Sequence, residues 1–136
     1  MATILVVDDE PAIRAFVRAA LQQASHHVLE AADGVSALRL ASGERPDLVL
    51  LDIALPHLSG IEVCRRLRRE PATARTPVLL LTGLPDRGDQ DTIKAGARGY
   101  LAKPFSPAQL TSLVDDALRL TPVPELATRP TAPQPP

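Results

Sequence analysis

A group of acidic side chains directly follows the first apolar run of the chain. Residues 4–7, ILVV, lead straight into Asp8, Asp9 and Glu10. Two carboxylates about 4 Å apart repel by about 1 kcal/mol in water and by about 4 kcal/mol at an effective dielectric constant of about 20. A whole domain is stable by only about 5–15 kcal/mol. The acids are therefore either spread into solvent or stabilised by a bound cation.

Polar side chains end four of the five apolar runs that read as strands. The first run is followed by Asp8 and Asp9, and the third, fourth and fifth end in Asp52, Thr82 and Lys103. In a parallel sheet these ends share one edge, so three carboxylates, one hydroxyl and one ammonium are expected to meet in one crevice. Carboxylates without histidine or thiol ligands favour a hard, oxygen-binding cation such as Mg²⁺. The spacing thus predicts a magnesium site.

The same crevice has the groups needed for phosphoryl transfer. Asp52 stands alone after an apolar strand and is the candidate nucleophile that would form an acyl phosphate. Phosphoryl transfer depends mainly on positioning and on neutralising charge. We expect the metal and Lys103 to neutralise the phosphoryl group from two sides and the Thr82 hydroxyl to donate to a third oxygen.

The elements that must position these side chains alternate along the chain. Strands are predicted at residues 3–7, 27–31, 47–51, 77–81 and 98–102. Helices are predicted from Pro11, after Asp33-Gly34 with Val35, Leu38 and Ala41 as its apolar residues, over residues 61–70, over residues 86–97, and from Pro107. Ser106 and Gln109 form a capping box at the start of the last of these helices. No two strands are close enough for a hairpin, so the connections are right-handed crossovers. The pattern predicts an α/β fold, a doubly wound five-stranded parallel sheet with five helices.

Composition limits the possible classes of protein. The chain has 136 residues, a net charge of −1 and one cysteine. We expect no internal disulfide, no membrane span and no direct contact with nucleic acid, and we expect a cytoplasmic location. A domain is predicted at residues 2–120. Residues 121–136 carry six of the fourteen prolines, which predicts a Pro-rich, disordered tail too short for an output domain.

Four motifs together resemble the receiver domain of bacterial two-component response regulators. They are VVDDEP, LVLLDIALPHLSG, VLLLTG and GYLAKPF, within about residues 2–120. The resemblance implies a flavodoxin-like fold with strand order 2-1-3-4-5. It also implies that a sensor histidine kinase or a histidine phosphotransfer protein donates a phosphoryl group to Asp52. The chain would catalyse only its own phosphorylation and dephosphorylation, and would otherwise not be an enzyme.

The resemblance also assigns roles to single residues. Asp9 would ligate Mg²⁺ directly and Asp8 through water, with Asp52 and the backbone carbonyl of Ala54 as further ligands and Mn²⁺ as a substitute metal. The Lys103–Pro104 peptide would be cis. Tyr100 matches the switch aromatic of the family. Together with Thr82 it would remodel the face formed by residues 86–97, the last strand and the last helix, which would signal to an output protein.

The chain departs from common patterns of the family in three places. Arg98-Gly99 stands where winged-helix transcription factors of the family often have two acids, so their dimer contact is not expected and the state is a monomer or a weak, phosphorylation-dependent dimer. Leu84 and Ala54 cannot orient an attacking water by hydrogen bonding, which predicts slow self-dephosphorylation. The expected function is a single-domain response regulator.

Two other functions are consistent with parts of the pattern. A phosphorelay shuttle would use the same residues but pass the phosphoryl group on to a histidine phosphotransfer protein. A phosphatase with an aspartyl nucleophile usually carries D-x-D after the first strand, whereas Asp8 and Asp9 are adjacent and the nucleophile candidate Asp52 follows the third. That spacing makes the phosphatase the weaker alternative.

Overall fold

Five strands and four helices are present in a computed structural model, which describes residues 1–83 and 95–120. The strands are β1 (Thr3–Val7), β2 (His27–Ala31), β3 (Leu48–Asp52), β4 (Val78–Thr82) and β5 (Gly99–Ala102). The helices are α1 (Pro11–Gln23), α2 (Gly34–Glu44), α3 (Gly60–Arg69) and α4 (Pro107–Leu120). The helix predicted over residues 86–97 lies mostly outside the described residues, and so does the tail at 121–136.

The strands form one sheet in the order β2-β1-β3-β4-β5, and all its neighbouring strands pair in parallel. This is the flavodoxin-like, doubly wound order, so the predicted fold class is confirmed. The register aligns the strand ends, because Val7 pairs with Leu51 and Thr82 with Ala102. The residues at these ends therefore lie along a single edge of the sheet.

The core consists of two apolar layers, one on each face of the sheet. Alternate strand residues point to opposite faces, and β3 and β4 are buried along their whole length. On one face Leu5, Val49 and Leu80 pack with residues of α2 and α3. On the other face Ile4 and Leu50 pack with residues of α1 and α4. Burial on both faces explains why these strands read as continuous apolar runs.

Helix α2 packs on the core through two of its three predicted apolar residues, Leu38 and Ala41, but not through Val35. Val35 is 56% exposed, so its expected place on the apolar face of the helix is wrong. The buried residues of α2 are the small ones, Gly34, Ala37 and Ala41. A Cβ atom on Gly34 would lie 2.7 Å from a methyl carbon of Val63. Close packing against α3 thus selects small side chains and turns Val35 toward solvent.

Hydrogen bonds from side chains define where the helices begin. The Ser59 hydroxyl accepts from the Glu62 N–H at 3.3 Å at the start of α3. Before α4, the Ser106 N–H donates to the Gln109 side chain at 2.8 Å, and the Gln109 N–H donates to the Ser106 hydroxyl at 3.1 Å. This reciprocal capping box is the one that the sequence predicts. None of the helices in the described ranges is long and apolar enough to cross a lipid bilayer.

Candidate functional site

Three carboxylates converge at the carboxyl edge of the sheet. Asp8 follows β1 directly and Asp52 is the last residue of β3. One oxygen of each of Asp8, Asp9 and Asp52 lies within 4.8 Å of the others. Asp8 is fully buried and Asp52 is 4% exposed, whereas Asp9 is exposed. The structure thus brings together the acids that the strand ends place at one edge.

Lys103 connects the two buried acids. Its Nζ lies 3.0 Å from Oδ2 of Asp8 and 3.3 Å from Oδ1 of Asp52. The residue follows β5, and its N–H donates to the carbonyl oxygen of Thr82 at 2.7 Å. The Lys103–Pro104 peptide is cis, as the resemblance implied. The ammonium group therefore stands between the carboxylates with most of its side chain covered.

The electrostatics of the crevice disfavour the ionised form of Asp52. Burial and the neighbouring Asp8 carboxylate raise the pKa of Asp52, although Lys103 and the Ala54 N–H act in the opposite direction. Burial lowers the pKa of Lys103, but its hydrogen bond to Asp8 and the charge of Asp52 outweigh that and raise it. Lys103 is thus held as a cation, while Asp52 lacks full compensation for its negative charge.

The donor set fits a divalent cation. Three carboxylates and one ammonium leave a local charge of about −2, which one Mg²⁺ would neutralise. All the side-chain donors are oxygens, the ligand type that Mg²⁺ and Mn²⁺ prefer. Ala54 lies two residues after Asp52, and its N–H donates to Oδ1 of Asp52 at 3.2 Å. Asp8, Asp9 and Asp52 could therefore hold the ion, and the Ala54 carbonyl, which the resemblance implies as a further ligand, stays a prediction.

Thr82 and Tyr100, the predicted switch pair, lie on neighbouring strands. Thr82 is the last residue of β4 and is 4% exposed. Tyr100 lies in β5, is partly buried and packs against the apolar layer under α2 and α3. β5 is an edge strand whose residues are all only partly buried, so the ring lies at the border of the sheet. Their role as a switch stays a prediction.

Gly60 supports the site in a way that the sequence analysis missed. Its N–H donates to the carbonyl oxygen of Ile53 at 2.9 Å, which closes the loop after β3. A Cβ atom at this position would lie 2.1 Å from the carbonyl oxygen of Asp52. The first residue of α3 therefore has to lack a side chain for the helix to approach the strand end. The signal in the sequence was the glycine of the LSG motif.

Strand β2 also reaches the site, although the sequence showed no functional group at its end. Glu30 of β2 accepts from Nε of Arg14 at 2.9 Å and from Nε of Arg18 at 2.5 Å. A terminal nitrogen of Arg14 donates to the carbonyl oxygen of Asp8 at 2.6 Å. The hydrogen bonds from Arg18 and then Arg14 keep the pKa of Glu30 below its ordinary value. The spacing of Arg14 and Arg18, one helical turn apart, was the available signal.

Comparisons of the sequence with known proteins agree on one protein family. A family model described as the response regulator receiver domain matches residues 4–115. The DNA-binding dual master transcriptional regulator RpaA of Synechocystis is 42% identical over 122 residues, which cover 89% of this chain and 51% of RpaA. The chain thus spans about half the length of the curated relatives of this kind that it matches.

Solved structures agree with the sequence matches. The chemotaxis response regulator CheY4 of Vibrio cholerae superposes with a TM-score of 0.82 and 36% identity, covering 86% of this chain and 98% of that one. The receiver domain of the sensor histidine kinase PA1611 of Pseudomonas aeruginosa gives a TM-score of 0.81 and 34% identity, covering 87% and 98%, and holds a magnesium ion in its active-site cleft. With the sheet order and the acidic crevice described above, these matches establish that the chain belongs to the response regulator receiver family.

Proposed function

We propose that this receiver accepts a phosphoryl group on Asp52 from the phosphohistidine of a sensor histidine kinase or a histidine phosphotransfer protein. An oxygen of the carboxylate attacks phosphorus, the P–N bond breaks, and the imidazole leaves. The proposal rests on the surroundings of Asp52, which is 4% exposed. Nζ of Lys103 lies 3.3 Å from its carboxylate, and an oxygen of each of two further acids lies within 4.8 Å. An uncompensated carboxylate beside a cation site suits this transfer.

The roles of the surrounding residues follow from their contacts. Lys103 neutralises the oxygens of the incoming phosphoryl group on one side, and the Thr82 hydroxyl donates to another oxygen. Mg²⁺, or Mn²⁺ in its place, would supply further positive charge to the phosphoryl oxygens when bound. As the resemblance to the family implies, Asp9 would hold the ion directly and Asp8 through water, with Asp52 and the Ala54 carbonyl as further ligands. Asp8 also keeps Lys103 in place through the 3.0 Å contact.

We propose that phosphorylation is read out through β5 and α4, together with residues 86–97 of the chain between β4 and β5. Tyr100 lies in β5, and Thr82 pairs with Ala102 of the same strand. The output acts on a partner protein through the domain at residues 2–120, in a monomer or a weak, phosphorylation-dependent dimer. We propose that the domain signals in the manner of the chemotaxis response regulator CheY4, of which 98% is matched. We assign this domain no DNA contact and no reaction other than its own phosphorylation and dephosphorylation.

Intact-mass spectrometry tests the proposal directly. The wild-type protein, Asp52→Asn and the control Asp115→Asn are incubated with Mg²⁺ and acetyl phosphate, a small phosphodonor. Asp115 is an exposed acid of α4, so its substitution removes one carboxylate that is not part of the acidic cluster. Wild type and Asp115→Asn should each gain the mass of one phosphoryl group. Asp52→Asn and an EDTA-treated wild-type sample should gain none.

Three outcomes would change the assignment. Labelling that persists in Asp52→Asn would place the acceptor elsewhere and contradict the proposal. Transfer of the phosphoryl group from the labelled protein to the histidine of a phosphotransfer protein would assign the shuttle role in place of the partner switch. Continuous release of phosphate at many turnovers per protein would instead indicate a phosphatase.

A further inference from the structure

Arg14 forms a direct connection between the edge strand β2 and the acidic loop after β1. Its side chain is 18% exposed, and its guanidinium group contacts two acceptors at once. Nε donates to Oε1 of Glu30 at 2.9 Å, and a terminal nitrogen donates to the carbonyl oxygen of Asp8 at 2.6 Å. The planar guanidinium holds both donors in fixed relative positions. Arg14 therefore ties the peptide after Asp8 to β2.

The contact with Arg14 completes the hydrogen bonding of Asp8. Both side-chain oxygens and both backbone groups of this buried residue have a partner. These are the Ala31 carbonyl at 3.1 Å for its N–H, the Glu10 N–H at 2.9 Å for Oδ1, Lys103 Nζ at 3.0 Å for Oδ2, and Arg14 for its carbonyl. That carbonyl belongs to the peptide that joins Asp8 to Asp9. The hydrogen bond from Arg14 to this carbonyl restricts the orientation of the peptide plane, and the exposed Asp9 side chain extends from that peptide.

Glu30 orients the arginine by accepting a hydrogen bond from its Nε. Its second oxygen, Oε2, accepts from Nε of Arg18 at 2.5 Å, so the carboxylate is held from both sides. Arg14 is thus held by Glu30, and it acts on the crevice through its hydrogen bond to the Asp8 carbonyl. Arg18 also pairs with Glu30, but its hydrogen bond to Glu30 does not extend to Asp8. The two arginines therefore form a natural comparison.

We propose that Arg14, oriented by Glu30, is a positioning residue for the divalent cation held by the acidic cluster. The inference rests on the proposed function in that Asp8 and Asp9 are its ligands. Ligands already held in place lose less conformational freedom when the ion binds, so they bind it more tightly. Removing Arg14 releases the peptide between Asp8 and Asp9 and leaves a less ordered acidic loop.

Isothermal titration calorimetry with Mg²⁺ alone tests this role without any phosphodonor. The dissociation constant is measured for wild type, Arg14→Met and Arg18→Met. Each variant loses one arginine and one contact with Glu30. Arg14→Met also loses the hydrogen bond to the Asp8 carbonyl, so its thermal midpoint should fall further than that of Arg18→Met. Arg14→Met should weaken Mg²⁺ binding by about tenfold, the lower end of the effect of outer-sphere partners. Arg18→Met should remain within about twofold of wild type.

A second variant covers the case in which Arg14→Met does not fold. Arg14→Lys keeps the charge but lacks the planar fork, so it should hold one acceptor and give an affinity between those of wild type and Arg14→Met. Equal Mg²⁺ affinity in Arg14→Lys and wild type, or equal weakening in Arg14→Met and Arg18→Met, would overturn the positioning role. The role would also fall if wild type bound no Mg²⁺. If wild type binds Mg²⁺ but gains no phosphoryl group, only the proposed function fails.

Discussion

At the scale of single residues, Asp52 lies in surroundings that cost free energy until a cation binds. It is almost fully buried, and an oxygen of Asp8 lies within 4.8 Å. Burial and that neighbour raise its pKa, and Lys103 compensates for only part of the negative charge. Strain of this electrostatic kind is typical of functional sites, where stability is lower than it could be. The binding of a divalent cation would remove it.

The Asp52→Asn substitution should therefore stabilise the metal-free protein. The amide removes a negative charge but keeps an acceptor for Lys103 and the Ala54 N–H. In EDTA at about pH 7 we expect the free energy of unfolding to rise by about 1 kcal/mol. Urea unfolding measures it. Saturating Mg²⁺ should reverse the order, since the wild-type protein binds the ion more tightly. A variant less stable than wild type in EDTA would contradict this account.

Gly60 is a second residue whose identity is set by the site. The carbonyl oxygen of Asp52 occupies the space that a Cβ would need, at 2.1 Å. The obstacle is backbone, which cannot rotate away as a flexible side chain can. Gly43 near the end of α2 differs, because nothing lies within 4 Å of its Cβ position. One glycine is thus required by packing, and the other is not.

We expect opposite effects from the two glycine-to-alanine substitutions. Gly60→Ala should lower the free energy of unfolding by about 3 kcal/mol, because α3 or the end of β3 has to move. Any folded fraction should be phosphorylated more slowly, since Asp52 is displaced. Gly43→Ala should raise the free energy of unfolding by about 0.5–1 kcal/mol through helix propensity. Urea unfolding and phosphorylation rates with acetyl phosphate check both. Equal stability of the two variants would disprove the packing requirement.

At the scale of elements, the ion pairs of Glu30 connect α1 with the edge strand β2. Two arginines of one helix face meet a single carboxylate, and the Glu30 side chain is 30% exposed. Isolated surface ion pairs contribute little, but this one is a network with partly covered members. Its hydrogen bonds with Arg18 and Arg14 lower the pKa of Glu30 below its ordinary value of 4.5. The network therefore stabilises the folded state only while Glu30 is ionised.

The lowered pKa of Glu30 predicts how the stability difference between wild type and Glu30→Gln changes with pH. A carboxyl group whose pKa is lowered by folding stabilises the folded state at pH values above its ordinary pKa. This contribution is lost as the pH falls through the lowered pKa. At about pH 7 the variant should be less stable than wild type by about 1 kcal/mol. The difference should shrink below pH 4.5 and approach zero at lower pH.

Urea unfolding across this pH range measures the difference, with Glu44→Gln as the control. Glu44 is an exposed acid at the end of α2 and is not part of the Glu30 network. That control should stay within about 0.5 kcal/mol of wild type at every pH. A pH-independent effect of Glu30→Gln would show that packing, and not ionisation, is responsible.

At the scale of the whole molecule, the lifetime of the phosphorylated state determines how long a signal lasts. Hydrolysis of an aspartyl phosphate needs a water that is oriented toward phosphorus. Ala54 is exposed beside Asp52 and offers no side-chain hydrogen bond for that water. Leu84, the other residue expected to matter, lies outside the described residues. The prediction of slow self-dephosphorylation therefore depends on Ala54 within the described part of the chain.

We expect a phosphorylated half-life of minutes or longer in purified protein. Ala54→Asn should shorten it by about tenfold, because the amide can hold a water near the phosphoryl group. Ala24→Asn, at an exposed alanine at the end of α1, should leave it unchanged. The decay of the phosphorylated mass after removal of the phosphodonor gives all three rates. A wild-type half-life of seconds would contradict the prediction.

Much of this protein follows from local features of the chain. The continuous apolar runs predicted β3 and β4 to within one residue at each end, and Ser106 with Gln109 predicted the start of α4. Lys103 and Asp8 are 95 positions apart, yet their contact was foreseeable. The carboxyl ends of parallel strands share one edge, so a polar residue at each end has few other places to go.

Other features depended on contacts between elements that no local pattern specifies. The small residues of α2 face the core and Val35 does not, because the distance between α2 and α3 decides which side chains fit. Arg14 can contact Glu30 and the Asp8 carbonyl at the same time because β2 lies beside β1. The sequence by itself determined the fold class and the acids of the crevice, through periodicity and strand ends. Only the tertiary structure decided which neighbours hold those acids in place, because that depends on how closely separate elements pack.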